Sequence, residues 1–151
     1  MAAQLWLLRH GEAEPHAADD DSRRLTPRGE EQARSAGRGL AALELVFHAV
    51  YTSPKERALR TAVLACEALG VEPVVHEALR EGFEAHDARE LLAMSGEEPR
   101  VLVVGHNPDF AQVVYDMTGA RVDFNKGGVV GVRERELIAL LRPRELERIG
   151  A

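Results

Sequence analysis

Six short apolar runs punctuate the chain: Gln4–Leu8, Leu45–Tyr51, Pro73–Val75, Val101–Val104, Val129–Val132 and Leu137–Leu141. The fourth, Val-Leu-Val-Val, is apolar at every position, as strands buried on both faces of a parallel sheet are. Between the runs, apolar residues recur at helical spacing. Thr26-Pro27 opens one such stretch, with a capping hydroxyl and then proline at the first helical position. Ala33, Ala36, Leu40 and Leu43 hold its period. Ser53-Pro54-Lys55-Glu56 predicts a capping box at the start of a second helix. Leu59, Ala62, Val63, Cys66 and Leu69 form its apolar face, and Gly70 closes it. Asp87–Ser95 predicts a shorter helix. Asn107-Pro108 caps a fourth, which carries Ala111, Val114 and Met117 and ends at Gly119.

The order is strand, helix, four times over, and then two strands joined around Arg133–Glu136. Such alternation predicts an α/β fold of three layers, α/β/α, with a mainly parallel central sheet of about six strands and flanking helices. The last two strands predict an antiparallel hairpin that adds an edge. No internal repeat or low-complexity tract interrupts the pattern, so residues 1–151 read as a single domain. The most polar stretch, Glu14 to Arg24 with three acids at Asp19–Asp21, reads as a surface loop.

Composition narrows the class. A chain of 151 residues, 45% of them apolar, buries about two-thirds of its unfolded surface and needs no staple. One cysteine excludes an internal disulfide and a Cys-rich zinc site. No apolar stretch approaches the ~20 residues of a bilayer span. Gln4–Leu8 is too short for a signal-peptide core and ends in Arg-His. A cytoplasmic protein without a membrane partner is expected. The net charge of −6 argues against nonspecific nucleic-acid binding.

The candidate chemistry lies where the predicted strands end. Ligands of open α/β sheets bind outside the carboxyl ends of the strands. Arg9-His10-Gly11 follows the first strand, Ser53 and Arg57 the second, Glu81 the third, and Gly105-His106-Asn107-Pro108 the fourth. Parallel strands would bring two histidines and two arginines from separate loops to one edge. Arginine forks bind phosphate oxygens bidentately. Neutral imidazole is a nucleophile toward phosphorus, and a second imidazole can donate to oxygens where transition-state charge collects. The set suits phosphoryl transfer through a phosphohistidine intermediate, with no metal and no cofactor required. Each residue alone has a plainer reading. A histidine after a strand is commonly a packing residue, Ser53 reads as a helix cap, and Arg57 as a solvated charge. Cys66 reads as core, Gly127-Gly128 as a turn, and His16, His48, His76 and His86 as surface or strand residues.

Four blocks together resemble the histidine phosphatase superfamily, with its phosphoglycerate-mutase-like fold. They are Leu8-Arg9-His10-Gly11-Glu12, Leu25-Thr26-Pro27-Arg28-Gly29, Ser53-Pro54-Lys55-Glu56-Arg57-Ala58 with Thr61, and Gly105-His106-Asn107-Pro108. The short length and the Phe124-Asn125-Lys126-Gly127 stretch resemble its small SixA-type phosphohistidine phosphatases. The resemblance implies His10 as the nucleophile, with Arg9, Arg57 and His106 clamping the phosphoryl group. It implies Glu81 as the general acid, with Glu77 as a fallback. SixA-type members often lack a clear acid at this point, which suits phosphohistidine because imidazole leaves readily from phosphorus. His16 and Ser22 stand where mutase-type relatives often carry Asn and Ser or Thr. The missing lid segments argue for hydrolysis rather than mutase chemistry. The implied partner is a phosphorylated protein. Two alternatives stand beside it: a phosphomonoesterase for a small phosphorylated metabolite, such as a sugar or nucleotide phosphate, and a phosphate-binding module without turnover.

Overall fold

The structure, a computed structural model, describes residues 2–151. Its elements in chain order are β1 (Gln4–Arg9), α1 (Pro27–Ala42), β2 (Ala49–Thr52), α2 (Glu56–Leu69), β3 (Pro73–Val75), α3 (Ala85–Ala93), β4 (Arg100–Gly105), α4 (Asp109–Thr118), β5 (Val129–Arg133), β6 (Glu136–Leu141) and α5 (Pro143–Ile149). Short 3-10 turns lie at Asp20–Ser22 and Glu77–Leu79. The six strands form one sheet in the order β3-β2-β4-β1-β5-β6. The first four are parallel, β5 runs antiparallel to β1, and β6 antiparallel to β5. The expected α/β fold and its hairpin edge are both present.

Pleating explains why the middles of β1 and β4, Leu5–Leu8 and Val101–Val104, are apolar at every position. Leu5 and Leu7 of β1 pack with Val101 and Val103 of β4 against Ala88 and Leu91 of α3 and Phe110 and Val114 of α4. Trp6 and Leu8, with Leu102 and Val104, face the other layer. There they meet Ala36 and Leu40 of α1, Ala62 and Ala65 of α2, and Leu146 of α5. Alternate residues of one strand thus enter two separate cores. Leu5, Leu7, Leu102 and Val104 are at most 1% exposed, and burying such a side chain contributes about 1.5–3 kcal/mol.

Several boundaries differ from the sequence pattern. β2 begins at Ala49 rather than Leu45, because Leu45 N–H closes the end of α1 on Leu40 C=O and Val46 stands in solvent. α3 begins at Ala85, ahead of Asp87, because Asp87 turns back to accept the Glu84 backbone N–H. The proposed capping box at Ser53 is absent: α2 starts at Glu56 behind Lys55, with no side-chain cap. α5 is an addition. Its signal was Pro143 at the first helical position with Glu145 accepting the Arg142 backbone N–H. Among the described residues, no helix is long and apolar enough to cross a membrane.

Candidate active site

The order β2-β4-β1 makes neighbours of the three strands whose ends carry the site. His10 N–H still reaches Gly105 C=O at 3.0 Å, so the β1–β4 ladder runs up to the histidine itself. The turn at Gly127, in the left-handed region at φ 76°, donates its N–H to the carbonyls of Arg9 and His10 at 3.0 and 3.1 Å. Behind the site, Gly11 and Gly29 let two backbones touch: a Cβ on Gly29 would lie 2.0 Å from Glu12 C=O. Gly11 N–H donates to Thr61 Oγ1 at 3.1 Å, and Thr61 Oγ1–H to Arg57 C=O at 2.7 Å. Strand β1 and helix α2 are therefore locked together at their reactive ends.

His10 is 7% exposed and its ring centroid lies 5.3 Å from that of His106. His10 Nδ1 is 2.7 Å from Gly11 C=O. A carbonyl only accepts, so Nδ1 carries the proton and the lone pair of the neutral ring sits on Nε2. Burial, aided by the charges of Arg57, Arg9 and Lys126, pushes the His10 pKa down to about 4 against the Gly11 hydrogen bond. His106 is pushed down to about 3, first by burial and then by His10, Arg57 and Lys55. Both rings are neutral at pH 7.

His106 Nε2 meets Ser53 Oγ at 2.8 Å, while Ser53 Oγ accepts the Lys55 backbone N–H at 3.1 Å. With one lone pair of Ser53 Oγ taken by Lys55 N–H, its hydroxyl proton is placed to go to His106 Nε2. That leaves His106 Nδ1–H as a donor. Ser53, read from sequence as a helix cap, instead sets the tautomer of His106.

The two arginines are held from outside. Arg9 Nη1–H donates to Phe124 C=O at 2.7 Å. Arg57, whose side chain is 7% exposed, donates through Nη1 to Asp20 C=O at 2.8 Å and through Nη2 to Asp20 Oδ2 at 3.2 Å. Lys55 Nζ joins the same carboxylate at 3.0 Å. Hydrogen bonds from Lys55, Arg23 and Arg57 hold Asp20 well below the usual carboxylate range. Asp21 pairs with Arg80 and lies 3.7 Å from Lys55 Nζ. The acidic stretch that read as a plain surface loop is thus a strap across the edge of the site. Its only sequence sign was Asp19, whose carboxylate caps the turn by accepting Ser22 N–H at 2.9 Å.

Among the described residues, three buried side-chain atoms lack any hydrogen-bond partner: Arg9 Nε, Arg57 Nε and His106 Nδ1. The two Arg Nε atoms are N–H donors, His106 Nδ1 is one in the tautomer whose Nε2 accepts from Ser53, and all three belong to this cluster. A buried donor without a partner costs about 1–3 kcal/mol. Three such atoms in one cluster with His10 are open to an acceptor from outside the chain.

The remaining candidates make no side-chain hydrogen bond or ion pair with His10, His106, Arg9 or Arg57. Glu81 is exposed and makes no hydrogen bond or ion pair with the two histidines or two arginines. Glu77 is exposed and spends its carboxylate on Arg80 Nε at 2.7 Å. His16 is exposed, and Ser22 Oγ–H donates to Asp19 at 2.9 Å. Cys66 is core, its thiol raised to about 11 by burial and then by Glu72. Asn107 joins Pro108 through a cis peptide and accepts Ala111 N–H at 3.1 Å, one turn into α4.

The family model described as histidine phosphatase superfamily (branch 1) matches residues 5–100. The chain belongs to that superfamily. The matched segment contains Arg9, His10 and Arg57 of the cluster and stops short of His106. As a histidine phosphatase superfamily member it has a full-length relative in Picosynechococcus sp., an uncharacterized protein 31% identical over 95% of this chain and 98% of that one. It is also similar to a 2,3-bisphosphoglycerate-dependent phosphoglycerate mutase of Parvibaculum lavamentivorans, 37% identical over 60% of this chain. The match spans 50% of that mutase. In fold it is similar to the solved structure of the protein histidine phosphatase SixA complexed with tungstate. That likeness has a TM-score of 0.84 and 22% identity, and covers 95% of this chain and 99% of that one.

Proposed function

We propose that this histidine phosphatase family member hydrolyses phosphohistidine on a protein, through a phosphorylated intermediate on His10. The observation that carries the reading is the trio of unpartnered buried donors, Arg9 Nε, Arg57 Nε and His106 Nδ1, around a histidine held neutral. His10 Nε2 attacks phosphorus with its lone pair. The bond from phosphorus to the substrate imidazole breaks, and the electron pair leaves on that nitrogen, which takes a proton from water. A water then attacks the phosphorus on His10, releasing inorganic phosphate and one proton and restoring neutral His10. The three donors stabilise the charge on the phosphoryl oxygens throughout.

The leaving group follows from the acids. An alkyl ester needs a proton donor for its alkoxide. Here Asp20 is held ionised by three cations, Glu77 is paired and Glu81 stands in solvent. A substrate whose leaving group is an imidazole suits such a site. The cationic and N–H groups supply the positive charge that a metal ion would otherwise bring.

The test is phosphate release from a phosphohistidine protein and from p-nitrophenyl phosphate with EDTA present. Expected are turnover of the phosphohistidine protein in EDTA and an acid-labile phosphoryl group trapped in wild type and absent from His10→Ala. Failure to turn over either substrate, or loss of activity on chelation, overturns the reading.

A further inference from the structure

A cavity of about 480 Å³ opens beside the reactive centre and shares Arg9 with it. Arg28 of α1, Lys126 of the turn before β5, and Arg142 and Arg144 at the start of α5 line its walls, against the acids Glu12 and Asp123. Arg142 is taken by Glu145 at 2.9 Å, and Arg144 lies 3.9 Å from the same carboxylate. Glu12 accepts Thr26 Oγ1–H at 2.8 Å. Among the described residues, Arg28 and Lys126 form no ion pair. Five cations thus face Glu12, Asp123 and Glu145, in a chain whose net charge is −6.

The form of the cavity bears on what fills it. Pockets for small molecules are mostly apolar and enclose 70–90% of their ligand. This one is lined mainly by charged and amide side chains, with Phe124 and Pro143 as its apolar residues. Arg28, Lys126, Arg142 and Arg144 are all exposed, so the walls are a rim on the surface. An exposed cationic surface of this kind steers an acidic partner and sets its orientation. It runs up to Arg9 and so lies next to the cluster that the phosphatase reading gives to the phosphoryl group.

We propose that this cavity docks a carboxylate-rich segment of the phosphorylated protein, with Arg28, Lys126 and Arg144 receiving glutamate or aspartate side chains flanking the phosphohistidine. The proposal rests on the phosphatase reading for the group it presents to His10. Guanidinium forks match carboxylates bidentately, and attraction between such exposed charges weakens as salt shortens the Debye length from about 10 Å at 0.1 M.

Two synthetic phosphohistidine peptides, one flanked by glutamates and one by serines, test it, together with a phosphate-free hexaglutamate peptide. At 50 mM salt the wild-type kcat/KM is expected to favour the glutamate peptide about tenfold, equivalent to about 1.4 kcal/mol. The preference should lie in KM and shrink at 300 mM salt. Arg28→Glu/Arg144→Glu should erase it while hydrolysing the serine peptide at the wild-type rate. Calorimetry should detect hexaglutamate binding to wild type and none to the double variant. Equal wild-type kcat/KM for the two peptides overturns the proposal, as does an equal fall on both peptides in the variant. Pyrophosphate that binds in an Arg28-dependent way where hexaglutamate does not would assign the cavity to a small substrate's second phosphate and likewise overturn it. Hexaglutamate binding without hydrolysis of any peptide would sink the phosphatase reading and leave the docking surface standing.

Discussion

Acid should unfold this protein through its own candidate active site. His10 and His106 have folded pKa values of about 4 and about 3, against 6.5 for an unperturbed ring. Both shifts are downward, so the folded state binds fewer protons than the unfolded chain. Stability is then unaffected above the unfolded value, falls as pH drops through 6.5, and stops falling below the folded values. At pH 5 each ring costs about 2 kcal/mol relative to pH 8, since one pKa unit is about 1.36 kcal/mol. The pair together costs about 4 kcal/mol, a large part of the roughly 5–15 kcal/mol that holds a domain folded. Urea unfolding of wild type and of His10→Gln/His106→Gln at pH 7 and pH 5 measures it. Carboxylates titrate alike in both proteins, so the difference between their losses isolates the two rings. Wild type should lose about 4 kcal/mol more than the variant. An equal loss in the two refutes the claim that burial and neighbouring cations hold these rings neutral. The same cause places the acid limb of kcat/KM near pH 4, not near 6.5.

Three further outcomes follow from named contacts. Asp20→Asn keeps the backbone oxygen that Arg57 uses but removes a negative charge from the edge of the site. In a water-like medium a carboxylate within several ångströms of a dianion repels it by about 1–2 kcal/mol. The inhibition constant of inorganic phosphate should therefore fall about tenfold, and an unchanged constant would show that the strap does not oppose the anion. Glu81→Gln should leave hydrolysis of phosphohistidine and of p-nitrophenyl phosphate within about twofold of wild type. A drop of about 10²-fold or more confined to the ester would identify Glu81 as a general acid. Gly29→Ala forces a Cβ to 2.0 Å from Glu12 C=O, so stability should fall by about 1–3 kcal/mol and activity with it, because Gly29 backs Gly11. A denaturation midpoint equal to wild type would contradict that packing.

Much of the architecture was legible because burial leaves a periodic trace. The unbroken Val-Leu-Val-Val of β4 implied two covered faces, and two cores do cover it. Strand ends carried Arg9-His10, Ser53 with Arg57, and His106, and parallel pairing brings those ends together. Less legible were features set by capping and closure. β2 lost its first residues to the end of α1, and α5 has a single fully buried anchor, Leu146, too little to show a period. Glu81 occupied the right place along the chain, but the 3-10 turn at Glu77–Leu79 leaves it exposed.

The sequence by itself determined the layers, the order of the six strands and first four helices, and the identity of the clustered His and Arg residues. Periodicity, caps and residue type are properties of a chain and its neighbours within a turn or two. Only the tertiary structure decided the charge states and partners. Asp20 meets Arg57 across 37 residues of chain, and Ser53 meets His106 across 53. Those contacts place Ser53 against His106, strap the cations and leave three buried nitrogens without a partner. They exist only once the strands have paired, because a pKa and a hydrogen bond depend on what lies within a few ångströms in space.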